Sequence, residues 1–222
     1  MIDAQYMDGS YLNKSGGTWH MADSPWKARQ VLRMLGKHEV RPSSVCEIGC
    51  GAGGILHALQ TDLPNVEFVG YEISPQAHAL SVPFENPRCH FVLDDAFSDG
   101  RTFDVALAMD VIEHVEDCFG FMRRIKSKAN LKLYHIPLDA YVSGILRGSN
   151  SWEKGGHLHL FTMETALKSV ERSGQQVIDS FLTRGAPLRK ELRHRVSGIT
   201  ARMLPPKLAA RLLGGSLLVL AR

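Results

Sequence analysis

The sequence predicts an α/β fold in which helices cover both faces of a mostly parallel, doubly wound sheet. Short apolar runs, typical of buried strands, alternate with segments of helical pattern along most of the 222 residues. A glycine-rich turn, residues 49–54, joins the first apolar run to the helix that follows it. Such alternation is typical of strand–helix–strand units, whose ligands bind beyond the carboxyl ends of the strands.

The first predicted helix runs from Trp26 to Leu35. Ser24 is the expected N-cap, Pro25 suits the first helical position, and Gly36 is the expected stop. A helix therefore precedes the first strand.

The remaining elements follow from apolar runs, caps and glycine or proline stops. The predicted strands are residues 44–48, 67–71, 89–93, 103–109, 131–136, 176–183 and 216–221. The predicted helices are residues 55–59, 75–80, 119–129 and 162–173. The last strand is expected to be antiparallel, so the sheet has seven strands and a Rossmann-like topology.

Composition is ordinary for one globular domain over residues 1–222. Hydrophobic residues make up 44% of the chain and charged residues 22%. The first residues lack the basic start and apolar core of a signal peptide, and no apolar run reaches the roughly 20 residues of a membrane span. We therefore expect a cytoplasmic protein.

The four cysteines agree with that expectation. Cys46, Cys50, Cys89 and Cys118 form no C-x-x-C pair, which favours reduced thiols and argues against a zinc site.

The C-terminal part of the chain is basic. Residues 184–222 hold nine Lys or Arg against one Glu, whereas the rest holds 17 against 22 acids. We expect residues 184–214 to be a basic helical insertion before the last strand, with apolar residues at helical spacing over 188–204. That helix could lie on an anionic membrane, hold an anionic acceptor, or cap the sheet with a solvated basic face. Because no aromatic residues are interleaved with this stretch, we predict no nucleic-acid partner.

The glycine turn indicates a nucleotide-type ligand. Gly49, Gly51 and Gly54 have the spacing G-x-G-x-x-G, and Glu72 follows Gly53 by nineteen residues, at the end of the next predicted strand. Glycines allow the backbone to approach a ligand closely, and an acid at this distance can accept hydrogen bonds from ribose hydroxyls. The turn alone leaves open whether the ligand is a dinucleotide or another nucleoside cofactor.

A second motif distinguishes between these cofactors. Residues 103–109 form an apolar run, and Asp110-Val-Ile-Glu-His-Val-Glu-Asp117 follows it directly. Together with Glu47-x-Gly49-x-Gly51, this motif resembles class I S-adenosylmethionine-dependent methyltransferases, and most closely the small-molecule branch that includes the ubiquinone-biosynthesis enzymes. The resemblance is good over residues 45–117, moderate over 156–174 and loose elsewhere.

The resemblance implies a set of cofactor contacts at the carboxyl ends of the strands. Glu47 would hold the ammonium group of S-adenosylmethionine, and Glu72 would bind both ribose hydroxyls. Asp95, which Ala96 follows, would contact the adenine amino group. Because Asp94 directly precedes Asp95, the sequence leaves open which of these two acids makes that contact. The implied cofactor-binding set is Glu47, Gly49, Cys50, Gly51, Gly53, Glu72, Ile73, Asp94, Asp95, Ala96, Met109 and Asp110.

Histidines are the candidate catalytic groups. If the acceptor is a hydroxyl, His114 is the expected base, because an imidazole titrates near neutral pH; capping of the local helix is the alternative role. His157 and His159 have strand-like spacing and would face one side, as a substrate-pocket pair or as structural residues. We predict no metal site, because the sequence shows no third ligand beside them.

Aromatic residues are concentrated in the first 40 residues, which we expect to form an N-terminal lid. Tyr11, Trp19, His20 and Lys27 are its candidate contacts to cofactor and acceptor, and packing of a helix on the sheet is the alternative. The function predicted is methyl transfer to a small molecule, at a hydroxyl if the acceptor is an alcohol or phenol. A nicotinamide-dependent oxidoreductase and a non-catalytic module of the same fold are the alternatives.

Overall fold

The seven predicted strands form one sheet in the order β3-β2-β1-β4-β5-β7-β6. The computed structural model describes residues 6, 8–10, 12, 17–19, 21–146, 148, 156–183 and 204–222. The strands are β1 (Ser44–Ile48), β2 (Glu67–Glu72), β3 (Cys89–Leu93), β4 (Phe103–Met109), β5 (Ala129–Pro137), β6 (Val177–Thr183) and β7 (Ser216–Ala221). The helices are α1 (Ser24–Lys37), α2 (Gly54–Asp62), α3 (Pro75–Ser81), α4 (Cys118–Lys126), α5 (Val142–Leu146), α6 (Met163–Arg172) and α7 (Pro206–Leu213). Within the described ranges, no helix combines the length and the apolar character needed to cross a bilayer.

The chain divides into two compact units. The first contains residues 1–109 and 124–133, and the second contains residues 110–123 and 134–222. Strand β5 begins in the first unit and ends in the second. That residues 1–222 form a single domain stays a prediction. Of the predicted basic insertion, α7 is described, whereas residues 184–203 lie outside the described part of the chain.

Parallel pairing builds the first unit. Strand β1 pairs with β2 and with β4, and β2 pairs with β3, all in parallel. The inward-facing positions are apolar: Val45, Phe68 and Val105 are each at most 1% exposed. Because both faces of such a sheet are covered, its strands are continuous apolar runs, which explains why they were visible in the sequence.

The second unit contains the antiparallel end of the sheet. Strand β6 pairs with β7 in antiparallel register, with Thr183 opposite Ser216. Thr162 caps α6, because its hydroxyl oxygen accepts a hydrogen bond from the Thr165 N–H at 3.1 Å, and the Thr165 hydroxyl oxygen accepts one from the Thr162 N–H at 2.8 Å. The predicted fold class, including the antiparallel last strand, is confirmed.

Three local predictions at helix ends are wrong. A 3-10 turn over Met21–Asp23 leads directly into α1, so Ser24 is the first residue of α1. Ser24 is buried against Gly54 and does not cap the helix. Helix α1 continues through Gly36, and Glu39 takes the left-handed conformation (φ +52°) after it ends. Ala129 begins β5 instead of ending the preceding helix.

A buried lysine braces the first unit. The Lys128 ammonium, 4% exposed, donates to Asp99 Oδ1 at 2.6 Å and to the carbonyl oxygens of Asp99 and Arg101. Burial alone would raise the pKa of Asp99, but hydrogen bonds from Lys128, Arg101 and the Tyr71 hydroxyl hold that pKa below its usual range. These contacts tie the start of β5 to the loop between β3 and β4.

Asp99→Asn should therefore lower the free energy of unfolding by about 2 kcal/mol, because it leaves the Lys128 charge buried and unpaired. The folded-state pKa of Asp99 is below its unfolded value, so its contribution is complete above about pH 5 and is lost as the pH falls. Urea unfolding at neutral and acidic pH measures both effects. Glu171→Gln, in the exposed pair with Lys168, is the matched control and should change stability by less than about 0.5 kcal/mol; an equal loss in both variants would contradict the account.

Candidate active site

The glycine turn after β1 is fastened to the end of β2. The N–H groups of Gly49 and Cys50 both donate to the Tyr71 carbonyl oxygen, at 2.9 and 3.0 Å. Gly51 donates to Glu72 Oε2 at 2.7 Å. Gly49, Gly51 and Gly53 all have φ between +55° and +74°, a conformation that suits glycine. The turn thus presents bare backbone at the carboxyl ends of β1 and β2.

Glu72 is the central side chain of this turn. It is 6% exposed, and its Oε1 accepts hydrogen bonds from the N–H groups of Ile73 and Ser74 at 2.9 and 2.8 Å. Burial raises the pKa of Glu72, and the three backbone N–H groups oppose that rise. The carboxylate is therefore buried but anchored, at the position predicted for ribose binding.

Two close approaches explain why positions 51 and 53 are glycines. A Cβ at position 53 would lie 2.6 Å from the Phe91 ring, and a Cβ at position 51 would lie 2.6 Å from the Trp19 indole. The indole of Trp19 therefore lies directly on the turn, and its role as a lid residue stays a prediction. Trp19 itself has φ +48°.

Two further candidate cofactor contacts, on β1 and β4 of the first unit, are buried. Glu47 is 1% exposed and Met109 is 5% exposed. Burial, reinforced by the nearby carboxylates of Glu47 and Glu72, raises the pKa of the Cys50 thiol. Cys50 therefore stays a neutral thiol, which suits a lining role and not that of a thiolate nucleophile.

The turn after β3 holds the two candidate adenine-binding acids. Asp95 pairs with Arg124 at 3.0 Å and accepts a hydrogen bond from the Phe97 N–H, while Asp94 bonds the Asp95 N–H and the Ser98 hydroxyl. The Arg124 guanidinium also lies 4.0 Å from the Phe97 ring centroid. Ala96, which follows Asp95 in the sequence, is buried. Which acid contacts adenine stays a prediction.

Two candidate catalytic histidines lie together in the second unit. The rings of His114 and His157 meet edge to face with centroids 4.8 Å apart. The fully buried Glu113 carboxylate lies 3.9 Å from His114 Nε2. His157 Nδ1 lies 2.5 Å from Asp139 Oδ2, and His114 Nδ1 lies 3.1 Å from the Gly156 carbonyl oxygen. The arrangement can hold or transfer a proton.

The same group has the composition of a metal site. One ligand atom from each of Glu113, His114 and His157 lies within 4.8 Å of the others. The sequence analysis did not group Glu113 and His114 with His157, because they come from a distant segment. That no metal binds stays a prediction.

His159 has a different environment from His157. Its Nε2 donates to the carbonyl oxygens of Val115 and Glu116, at 2.9 and 3.2 Å. The N–H groups of Leu158 and His159 both donate to the Glu113 carbonyl oxygen. His159 thus fastens residues 156–161 to the turn after β4, which fits the structural alternative; its substrate role stays a prediction.

Asp110 has an unusual backbone and a histidine partner. It has φ +59°, and its Oδ1 lies 2.5 Å from Nδ1 of His135, whose Nε2 lies 2.8 Å from the Thr183 hydroxyl. The sequence analysis did not identify His135 or Thr183 as site residues. The one available sequence signal was that His135 is a polar residue within the apolar run of β5.

The other lid candidates are only partly described. Tyr11 and His20 lie outside the described residues. Lys27 is half-buried on α1, and Trp19 contacts the glycine turn. Asp139 and Arg124 are further partners that the sequence analysis missed, because both pair with residues distant in the chain.

Comparisons with known proteins agree with this geometry. Residues 19–180 match the family described as a methyltransferase domain. The ubiquinone biosynthesis O-methyltransferase of Methylobacterium nodulans is 27% identical over 177 residues, which are 68% of this chain and 68% of the relative. A homologue of the same name from Methylobacterium sp. strain 4-46 is 25% identical over 171 residues, which are 66% of this chain and 65% of that protein.

Solved structures share the fold. The methyltransferase in complex with the Trm112 activator of Haloferax volcanii has a TM-score of 0.67 at 15% identity, covering 100% of this chain and 96% of that one. The magnesium protoporphyrin IX methyltransferase of Synechocystis PCC 6803 has a TM-score of 0.61 at 15% identity, covering 89% and 83%. The fold and the glycine turn thus define an enzyme of the methyltransferase class. The family match spans more than half of the chain, and the protein belongs to the methyltransferase-domain family.

Gly53→Ala tests the need for bare backbone in the turn. The new methyl group would meet Phe91 and force φ +74° on alanine, so we expect a loss of about 2 kcal/mol or more in unfolding free energy. Gly36→Ala is the matched control, because no atom lies within 4 Å of its Cβ position and alanine suits a helix. Thermal unfolding of both variants decides the point, and a Gly53→Ala protein as stable as the wild type would refute the close approach.

Proposed function

We propose that this protein transfers a methyl group from S-adenosylmethionine to a hydroxyl group of a small molecule. The observation that carries the proposal is the buried Glu72 carboxylate beside the glycine turn. The family match and the curated O-methyltransferases of ubiquinone biosynthesis support methyl transfer and favour oxygen as the accepting atom. The glycine pattern alone also allowed nicotinamide chemistry, which the family match disfavours.

The residues of the first unit fit this cofactor. From the described residues, Glu72 Oε2 accepts one hydrogen bond, from Gly51, and a carboxylate oxygen has two lone pairs. A ribose hydroxyl can therefore be accepted without releasing the turn. Glu47 would hold the ammonium group, the backbone of residues 49–53 would lie along the cofactor, and Met109 would line the pocket wall.

Catalysis needs little beyond positioning and proton removal. S-adenosylmethionine supplies a methyl group that its sulfonium already activates. The protein has to orient the acceptor oxygen, exclude water and accept the proton that the hydroxyl loses. His114 is the proposed base, because its ring is 15% exposed and is held by Gly156 and His157.

The acceptor is proposed to be small and anionic, which the basic composition of residues 184–222 supports. Of that stretch, Arg211 pairs with Glu164, and residues 184–203 lie outside the described part. Peripheral membrane contact through residues 188–204 remains the other role proposed for this segment, and a purely non-catalytic module is the remaining alternative.

Isothermal titration with S-adenosylmethionine and S-adenosylhomocysteine tests cofactor binding directly. Glu72→Ala should weaken both by about 1–3 kcal/mol, because the ribose hydroxyls lose their acceptor. Glu171→Ala, on the exposed face of α6, should bind as the wild type does. Folded protein that binds neither compound, but binds reduced nicotinamide dinucleotide, would overturn the proposal.

His114→Ala tests the base. With a catechol such as 3,4-dihydroxybenzoate as acceptor, its rate of methyl transfer should fall about 10²- to 10⁴-fold while cofactor affinity stays unchanged. His90→Ala, at an exposed position of β3, is the control. Because Glu113, His114 and His157 can also ligate a divalent cation, the wild type is assayed with EDTA and then with added Mg²⁺ or Zn²⁺. If EDTA abolishes activity and the added cation restores it, the reaction is metal-assisted and His114 is not its base.

A further inference from the structure

A hydrogen-bonded chain of side chains links the carboxyl ends of three strands in the second unit. Asp110 directly follows β4, His135 lies near the end of β5, and Thr183 ends β6. The His135 ring is 3% exposed, while the Asp110 side chain is 29% exposed. This hydrogen-bonded series therefore runs from the interior toward the partly open carboxylate of Asp110, the residue that follows Met109 in the sequence.

The direction of the bond to Asp110 follows from its partner. A carboxylate only accepts, so His135 Nδ1 donates to Asp110. The Thr183 hydroxyl lies 2.8 Å from His135 Nε2 and 3.2 Å from the Ser216 carbonyl oxygen, so it bonds the other side of the ring. The bonds thus place a proton between His135 and each neighbour, and the ring orientation is set from both sides.

His135 holds the backbone of Asp110 as well as its carboxylate. The Asp110 N–H donates to the His135 carbonyl oxygen at 2.9 Å. A φ of +59° is unfavourable for a residue with a side chain and persists where surrounding contacts impose it. Two hydrogen bonds from one residue impose it here, which fixes where the carboxylate lies.

We propose that His135 is a positioning residue for methyl transfer: it holds the Asp110 carboxylate at the end of the cofactor strand, with Thr183 fixing the ring. This rests on the proposed function, in which Asp110 lines the cofactor beside Met109. A carboxylate held there favours the positively charged sulfonium of S-adenosylmethionine over the neutral thioether of S-adenosylhomocysteine. The ratio of the two affinities therefore reports the position of Asp110 without the need for an acceptor.

A double-mutant cycle with isothermal titration tests the proposal. Asp110→Asn and His135→Phe should each lower the affinity for S-adenosylmethionine relative to S-adenosylhomocysteine by about tenfold. The double variant should show no further change, because His135 acts through Asp110. His135→Asn keeps a donor near the place of Nδ1 and should retain most of the affinity ratio. His90→Phe, at an exposed position of β3, is the matched control.

A second pair of variants keeps the test decisive if His135→Phe fails to fold. Thr183→Val has the shape of threonine without its hydroxyl and should lower the ratio, whereas Thr183→Ser should not. ¹⁵N NMR of labelled histidine should show a proton on His135 Nδ1 in the wild type, and a bare Nδ1 would overturn the assignment.

The outcomes separate this proposal from the proposed function. Additive effects in the cycle, or a ratio that rises in His135→Phe, would overturn the positioning role while cofactor binding stands. Wild-type protein that binds neither compound would overturn the proposed function, and the role of His135 with it.

Discussion

The carboxylate of Glu72 is the interaction on which the site depends. It is buried at the end of β2 and accepts backbone hydrogen bonds from the glycine turn on one side and from the start of α3 on the other. A buried carboxylate is costly unless it is satisfied, and these N–H groups satisfy it. The same bonds shape the turn into a surface that a nucleoside can approach.

The chemistry is distributed over the two units in a regular way. The first unit carries the proposed cofactor contacts other than Asp110, and Lys128 with Asp99 braces it from within. The second unit carries the candidate catalytic histidines, and residues 156–161 are fastened to the turn after β4 by His159 and by the Glu113 carbonyl oxygen. Proton-handling side chains thus stand on backbone that is held by many hydrogen bonds, which is what positioned catalysis requires.

The strands were the most predictable part of this molecule, and the polar side-chain contacts were the least. Strands β1, β3, β4 and β7 have the predicted bounds. Strands β1, β4 and β7 are mostly buried apolar runs closed by polar or glycine residues. The Ser24 cap failed because a 3-10 turn precedes the helix, which no local pattern announced. His135 reaches partners 25 and 48 residues away, and such pairings leave no periodic trace in a single sequence. Glycine and acid spacing predicted the cofactor side of the site, because the proposed recognition uses backbone and one strand-end residue.

A crystal structure of the protein with S-adenosylhomocysteine tests the central claim most directly. The account predicts the adenosine along the turn at residues 49–53, with both ribose hydroxyls within hydrogen-bond distance of the Glu72 carboxylate. A ligand bound elsewhere, or a Glu72 side chain that contacts backbone alone while the nucleoside sits in the turn, would contradict it.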